Sequence, residues 1–218
     1  MKKGQTLKAN DGYEVMLFPL PYMNITQGEN GNYSHQGTYN IDFVGWDSKG
    51  RVYKAPMYAP CSCKCVATID SYNKGRIFQS ISKVHTPKGL QYVTFMNFHD
   101  NNPLAKKGST FKQGELYAHT GTAGIGTGDH THFNTAKGKY AGWEQVPPKR
   151  HGQLKNSTHI YDICYVNDTV IVDGMMYPWK KWKIEPTPEP PTPEKDLYKS
   201  KFPWVLYARK FRTNRQGM

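Results

Sequence analysis

Short strand-favouring segments, each closed by glycine, proline, asparagine or aspartate, recur through the first 174 residues and leave little room for anything but a sheet. They are YEVMLF (13–18), NIDFV (40–44), CKCVATI (63–69), GLQYVTFMNF (89–98), HTHFNT (130–135), ICYV (163–166) and TVIVDG (169–174). Each is rich in β-branched or aromatic side chains, which suit a pleated, half-buried surface. Long runs of Ala, Leu, Glu and Lys at helical spacing are absent, whereas 20 Gly and 15 Pro supply turns. The expected fold class is mainly β, and no internal repeat is visible.

One boundary is plain. Residues 185–194, EPTPEPPTPE, have the composition of an extended, semi-rigid linker without a core. The chain is therefore expected to divide into a folded domain over 1–184, a Pro-rich linker over 185–194 and a segment over 195–218. With 218 residues there is enough chain for one well-cored domain and an appendage. The last segment is too short to fold alone, and it sets Phe202, Trp204, Tyr207 and Phe211 among lysines and arginines. It reads as the start of a further domain, as a tail that adheres to an anionic surface, or as a disordered remnant.

A formal net charge of +12 calls for an anionic partner or surface, with plain solubility as the bland alternative. Lys2 and Lys3 imitate the basic start of a signal peptide, but Gly4, Gln5, Thr6 and Lys8 stand where its apolar stretch belongs. No export signal is expected, and no run approaches the length of a membrane span. The oligomeric state is not legible. Of the four cysteines, Cys61, Cys63 and Cys65 alternate and should face one side of a strand, with Cys164 apart. Zinc knuckles favour C-x-x-C spacing, so reduced, partly buried thiols are the simpler reading.

Eight histidines are present, and spacing separates them. His85, His119, His151 and His159 stand singly and read as surface or hydrogen-bonded structural residues. His130 and His132 form H-x-H, which on a strand points both rings to one face. Before them GTAGIGTGD (121–129) is dense in glycine; it lacks the Gly-Lys-Ser/Thr ending of a phosphate loop, and a close approach of backbone to a site accounts for it better. His35 precedes a glycine turn. Asp42 sits between Ile41 and Phe43, where an ionised carboxylate is costly unless it is paired or bound to a cation. A catalytic zinc takes three protein ligands and leaves a fourth position to water.

The ordered set TQG…SHQGTYNIDF, APCSCKCVATI, YVTFMNFHD and KQGELYAHTGTAGIGTGDHTHF resembles the lysostaphin/LytM-type zinc endopeptidase family over most of residues 25–135. The resemblance implies an antiparallel β-sheet peptidase fold whose loops, at 35–38 and 121–128, wall a narrow groove. It implies Zn2+ on His35, Asp42 and His132, with His130 and His99 as catalytic residues. Either histidine could take the proton of the attacking water while the other serves the oxyanion. The implied substrate is peptidoglycan, with a thin peptide such as Gly-Gly or D-Ala-Gly in the groove.

The pattern is not followed everywhere. Six residues separate His35 from Asp42 where the family usually has H-x-x-x-D. Thr131 replaces a leucine, Asp129 a glycine, and Ser62-Cys63-Lys64 an Asp-Gly turn; a catalytic tyrosine has only Tyr22 and Tyr33 as candidates. No ligand position is lost. The resemblance thus implies a bacteriolytic hydrolase of the cross-bridge or stem peptide, acting on the wall of a Gram-positive host. Without an export signal it would be a phage endolysin released through a holin, or a lysin carried in the virion. Residues 195–218 would then begin a wall-binding domain. The rivals are a non-catalytic relative acting as a wall-binding or activator protein, and a basic nucleic-acid-binding module. The second leaves the His/Asp motifs unexplained.

Overall fold

Alternation of inward and outward side chains organises the centre of the molecule. A computed structural model describes residues 1–124, 127–147 and 151–183, apart from the side chain of His151. Its main sheet comprises β1 (Tyr22–Gln27), β2 (Ile41–Phe43), β3 (Cys63–Ile69), β4 (Gly75–Ser80), β5 (Val93–Phe98), β6 (Thr110–Phe111), β7 (Thr131–Lys137) and β8 (Val170–Asp173). They lie in the order β6-β3-β4-β5-β7-β2-β1-β8. Every pairing is antiparallel except that of β1 with β8. The class is mainly β, as expected; the helical element among the described residues is a 3-10 turn at Ile160–Asp162.

Both faces of the sheet are covered. Along β5, Val93 and Phe95 enter a larger core with Phe43, Phe78 and Phe133, while Met96 and Phe98 enter a smaller one with Ile77, Ala136 and Leu154. All six residues of this strand are buried, as befits a central strand covered on both sides, although Thr94 and Asn97 interrupt its apolar run. The rings interlock: Phe78 stacks on Phe95 at 5.3 Å between centroids and Phe95 on Phe133 at 6.1 Å. Burial of each such side chain contributes roughly 2–3 kcal/mol. Cys61, Cys63 and Cys65 all enter the larger core, as their alternation predicts, and Cys164 joins them.

Two expected strands are not strands. In 13–18 the backbone donors of Val15, Met16, Leu17 and Phe18 go to Leu7, His85, Pro60 and Tyr165. Four separate acceptors leave isolated bridges and no ladder. Segment 163–166 follows the 3-10 turn, and of its residues only Tyr165 bridges, to Leu17. The expected run 89–98 is divided between a hairpin strand, Gly89–Gln91, and β5. Residues 130–135 become β7, which starts one residue later.

Met1–Ile184 form one compact unit. The linker 185–194 and the segment 195–218 lie outside the described residues. No helix among the described residues is long and apolar enough to cross a membrane. Two hairpins on the smaller-core side complete the frame: Gly45–Asp47 with Gly50–Val52, and Trp143–Val146 with His151–Leu154.

Candidate metal centre and cleft

A single row of neighbours across four strands lays out the site. Gln27 on β1 pairs with Asp42 on β2, Asp42 with His132 on β7, and His132 with Phe98 on β5. Directly opposed residues of antiparallel strands point to the same face, so these side chains meet. Ile41 and Phe43 take the larger core and leave Asp42 on the opposite face.

Three ligand atoms converge there. His35 Nε2 is 3.2 Å from Asp42 Oδ1, His132 Nδ1 is 3.1 Å from it, and the two nitrogens are 3.1 Å apart. The longer-than-usual spacing is accommodated because His35 belongs to the loop joining β1 to β2 and folds back over Asp42. His35 Nδ1–H donates to the carbonyl of Gly28 at 3.0 Å, which leaves the Nε2 lone pair facing the other two atoms. Burial raises the Asp42 carboxyl, but the adjacent rings of His132 and His35 outweigh it and hold the group well below the usual carboxylate range. Burial also lowers the His132 ring.

This donor set fits zinc. Two imidazoles and a carboxylate are common zinc ligands, and a tetrahedral ion bound at about 2.0–2.1 Å separates its ligand atoms by about 3.3 Å. The observed edges of 3.1–3.2 Å are close to that. Among the described residues it is the one group of His, Cys, Asp or Glu able to hold an ion in this way.

The two remaining histidines of the sequence expectation flank this triad. His130 stands just ahead of β7, tied to Gly121 by two backbone hydrogen bonds of 2.9 Å, with Nε2 3.9 Å from Asp42 Oδ1. His99 follows β5 at φ 79°, a left-handed conformation that costs a non-glycine residue of the order of 1 kcal/mol or more. Its neighbours fix it: the amide donates to Asn73, the carbonyl accepts from Ala123, and Nδ1–H donates to Ala123 at 2.6 Å. The rings of His99 and His130 are 4.6 Å apart. Burial lowers the His99 ring to about 4, aided by the nearby charge of His130 and His132.

The glycine-dense loop approaches this site closely, as expected. A Cβ on Gly121 would lie 2.1 Å from the carbonyl oxygen of His99. Together with the loop after β1 and the two hairpins, it lines a cleft of about 690 Å³ whose floor holds Asp42, His99, His130 and His132. Tyr33 reaches this cleft and Tyr22 does not. Elsewhere, His85 pairs with Asp11 at 2.8 Å and His159 with Glu29 at 2.5 Å, in keeping with structural roles.

Several contributors carry no sequence signal of their own. Gln27 Nε2 donates to Asp42 Oδ2 at 2.9 Å and to Ser34 at 2.8 Å, orienting the carboxylate and bracing the loop that bears His35. Phe98 stacks on His132 at 5.4 Å. Asp129 accepts from Thr120 Oγ1 at 2.5 Å and from the Lys54 amide at 3.0 Å, anchoring the approach to His130. Its place beside His130 was the available hint.

No protein-family model matches the chain. Over 180 residues, 82% of its length, it is 41% identical to Morphogenesis protein 1 of Bacillus phage B103. It spans 47% of that relative, about half. Three solved structures show partial likeness. A zinc containing peptidase from Vibrio cholerae shares 22% identity over 61% of this chain and 43% of that one, at a TM-score of 0.42. A variant of the catalytic domain of the prophage-encoded M23 protein EnpA from Enterococcus faecalis shares 17%, over 57% and 91%, at 0.41. The catalytic domain of lysostaphin from Staphylococcus simulans shares 18%, over 61% and 86%, at 0.39.

Proposed function

We propose that this chain is a zinc-dependent endopeptidase that hydrolyses peptide bonds in the stem or cross-bridge of bacterial peptidoglycan. The observation that carries this reading is the triangle of His35 Nε2, Asp42 Oδ1 and His132 Nδ1, with His99 and His130 beside it in an open cleft. A structural zinc is closed off by four protein ligands, whereas three ligands at a cleft floor suit a catalytic one.

His35, Asp42 and His132 would hold the zinc, which when bound polarises a carbonyl and lowers the pKa of water to about 7. His99 and His130 handle protons. Each keeps Nδ1–H on a backbone carbonyl, Ala123 at 2.6 Å and Gly128 at 2.7 Å, so Nε2 is the atom that exchanges with substrate. In this tautomer neither ring donates from Nε2 until it has gained a proton. Whichever histidine takes the proton released by the attacking water therefore becomes the donor to the leaving amine. The other, while neutral, presents Nε2 as an acceptor and so orients an N–H of the substrate or the attacking water. Gln27 keeps the second oxygen of Asp42 occupied, so a single carboxylate oxygen faces the ligand triangle.

The name of the phage relative supports a virion-associated lysin over a freely released endolysin. In this reading 1–184 is the catalytic domain, 185–194 a spacer, and 195–218 the beginning of a wall-binding part. The formal charge of +12 suits the anionic wall of a Gram-positive host. Digestion of purified peptidoglycans with different cross-bridges, followed by mass analysis of the fragments, tests the proposal. New amino termini should appear with the native protein and vanish with His132→Ala or with chelator. Zinc binding without any cleavage would favour the non-catalytic rival.

A further inference from the structure

The cleft holds one cation that the proposed hydrolysis does not use. Among the described residues lining it, Arg51 is the single lysine or arginine. It belongs to the hairpin Gly45–Asp47 with Gly50–Val52, on the wall next to His130. Its guanidinium is held from two sides. Nη2 donates to the backbone carbonyl of Asp129, and the group lies 5.3 Å from the centre of the Tyr53 ring.

That leaves most of its hydrogen-bonding capacity free. A guanidinium carries five N–H donors, and among the described residues the bond to Asp129 is the one it makes. No described carboxylate pairs with it. The two carboxylates of the cleft are engaged elsewhere: Asp42 with His35, His132 and Gln27, and Asp129 with Thr120 and Lys54. A tethered, unpaired guanidinium presents a planar fork matched to a carboxylate, and such charge-assisted bonds are the strong ones.

We infer that Arg51 forms a carboxylate-binding subsite, so that the peptide in the cleft carries a free carboxylate next to the scissile bond on the His130 side. This rests on the endopeptidase reading above for the scissile bond, but not for the binding of the carboxylate itself. The competing role for Arg51 is purely to hold the carbonyl of Asp129, and with it His130. That role is indifferent to the charge of the substrate.

Two preparations of the same soluble disaccharide peptides, one native and one with its carboxyls converted to carboxamides, separate these roles. Hydrolysis of each is followed with zinc-loaded native protein, Arg51→Gln and Arg51→Lys. Binding of each is measured by calorimetry with the metal-free proteins. The native protein should prefer the free carboxylates at least about tenfold, mainly through KM. Arg51→Gln should bring that ratio close to one, and Arg51→Lys should restore part of it. A ratio of one in the native protein, or a loss on both substrates alike in Arg51→Gln, overturns the subsite. Carboxylate-dependent binding without hydrolysis keeps the subsite and removes the endopeptidase reading instead.

Discussion

His35 Nε2 and His132 Nδ1 face each other at 3.1 Å over the same oxygen of Asp42. The proton of His35 is held on Nδ1 by Gly28, so two nitrogens and one anionic oxygen crowd a point that a divalent cation would relieve. The purified protein should therefore bind one equivalent of zinc. At a free concentration one hundred times Kd the gain is about 2.7 kcal/mol, or roughly 5–10 °C in Tm for a domain of this size. Calorimetric melts with and without chelator measure it. His132→Ala should show no zinc-dependent shift, and an equal shift in that variant would displace the site from this triad.

Metal-free protein should lose stability in mild acid because of His99. Its ring titrates near 4 in the native state and near 6.5 in the unfolded chain. Between those values the unfolded state binds more protons, so stability falls as pH drops and is fully present above 6.5. The loss attributable to this residue reaches up to about 3 kcal/mol by pH 4. Urea titrations at several pH values should show a shallower acid slope for His99→Gln than for the native sequence.

How far these features can be read from the chain differs by physical cause. Asp42 is legible because an ionisable residue between Ile41 and Phe43 is anomalous in an apolar strand. His130 and His132 are legible through their spacing. Gln27 is not, because only the register of β1 against β2 puts it opposite Asp42. The same limit explains the strand errors. ICYV has strand composition, yet the amides of Ile163 and Cys164 close the 3-10 turn on Ile160, and those of Tyr165 and Val166 go to Met16 and Lys180, partners distant in sequence. Tyr22–Gln27 lacks strand composition for the opposite reason: Asn24, Thr26 and Gln27 dilute the apolar signal, while Met23 and Ile25 alone face the core.

Removing the support beneath Asp42 should weaken the metal rather than the fold. Gln27→Leu is close in volume and takes away the donor to Asp42 Oδ2 and to Ser34. Outer partners of metal ligands are typically worth about 10–100-fold in affinity. Zinc competition with a chromogenic chelator should show a loss in that range, with the urea midpoint of the metal-free protein changed by little. Unchanged affinity would mean that Asp42 is oriented by its strand alone.

The cysteines should be inert in the native protein. All four are buried, and burial pushes the thiols of Cys61, Cys63 and Cys164 well above their ordinary range. Thiolates are the reactive form, so a disulfide reagent should label none of them until denaturant is added. Fast labelling of any one without denaturant would reveal local opening of the larger core.

Gly75 links the fold to the site through one ring. It opens β4, and a Cβ there would lie 2.1 Å from the Phe98 ring, which stacks on His132. Glycine is therefore required by the close approach and not by its backbone angle. Gly75→Ala must push Phe98 aside, at a cost of about 1–3 kcal/mol for overpacking. Because Phe98 backs His132, the displacement should also be felt at the metal. Zinc affinity should fall in Gly75→Ala and recover in the double variant Gly75→Ala with Phe98→Leu, which trades the ring for a shorter side chain. Stability measured in denaturant should recover only in part, since the smaller core with Ile77, Met96 and Leu154 loses apolar contact. A Gly75→Ala protein that is destabilised yet binds zinc as tightly as the native one would show that His132 is positioned without help from the ring beneath it.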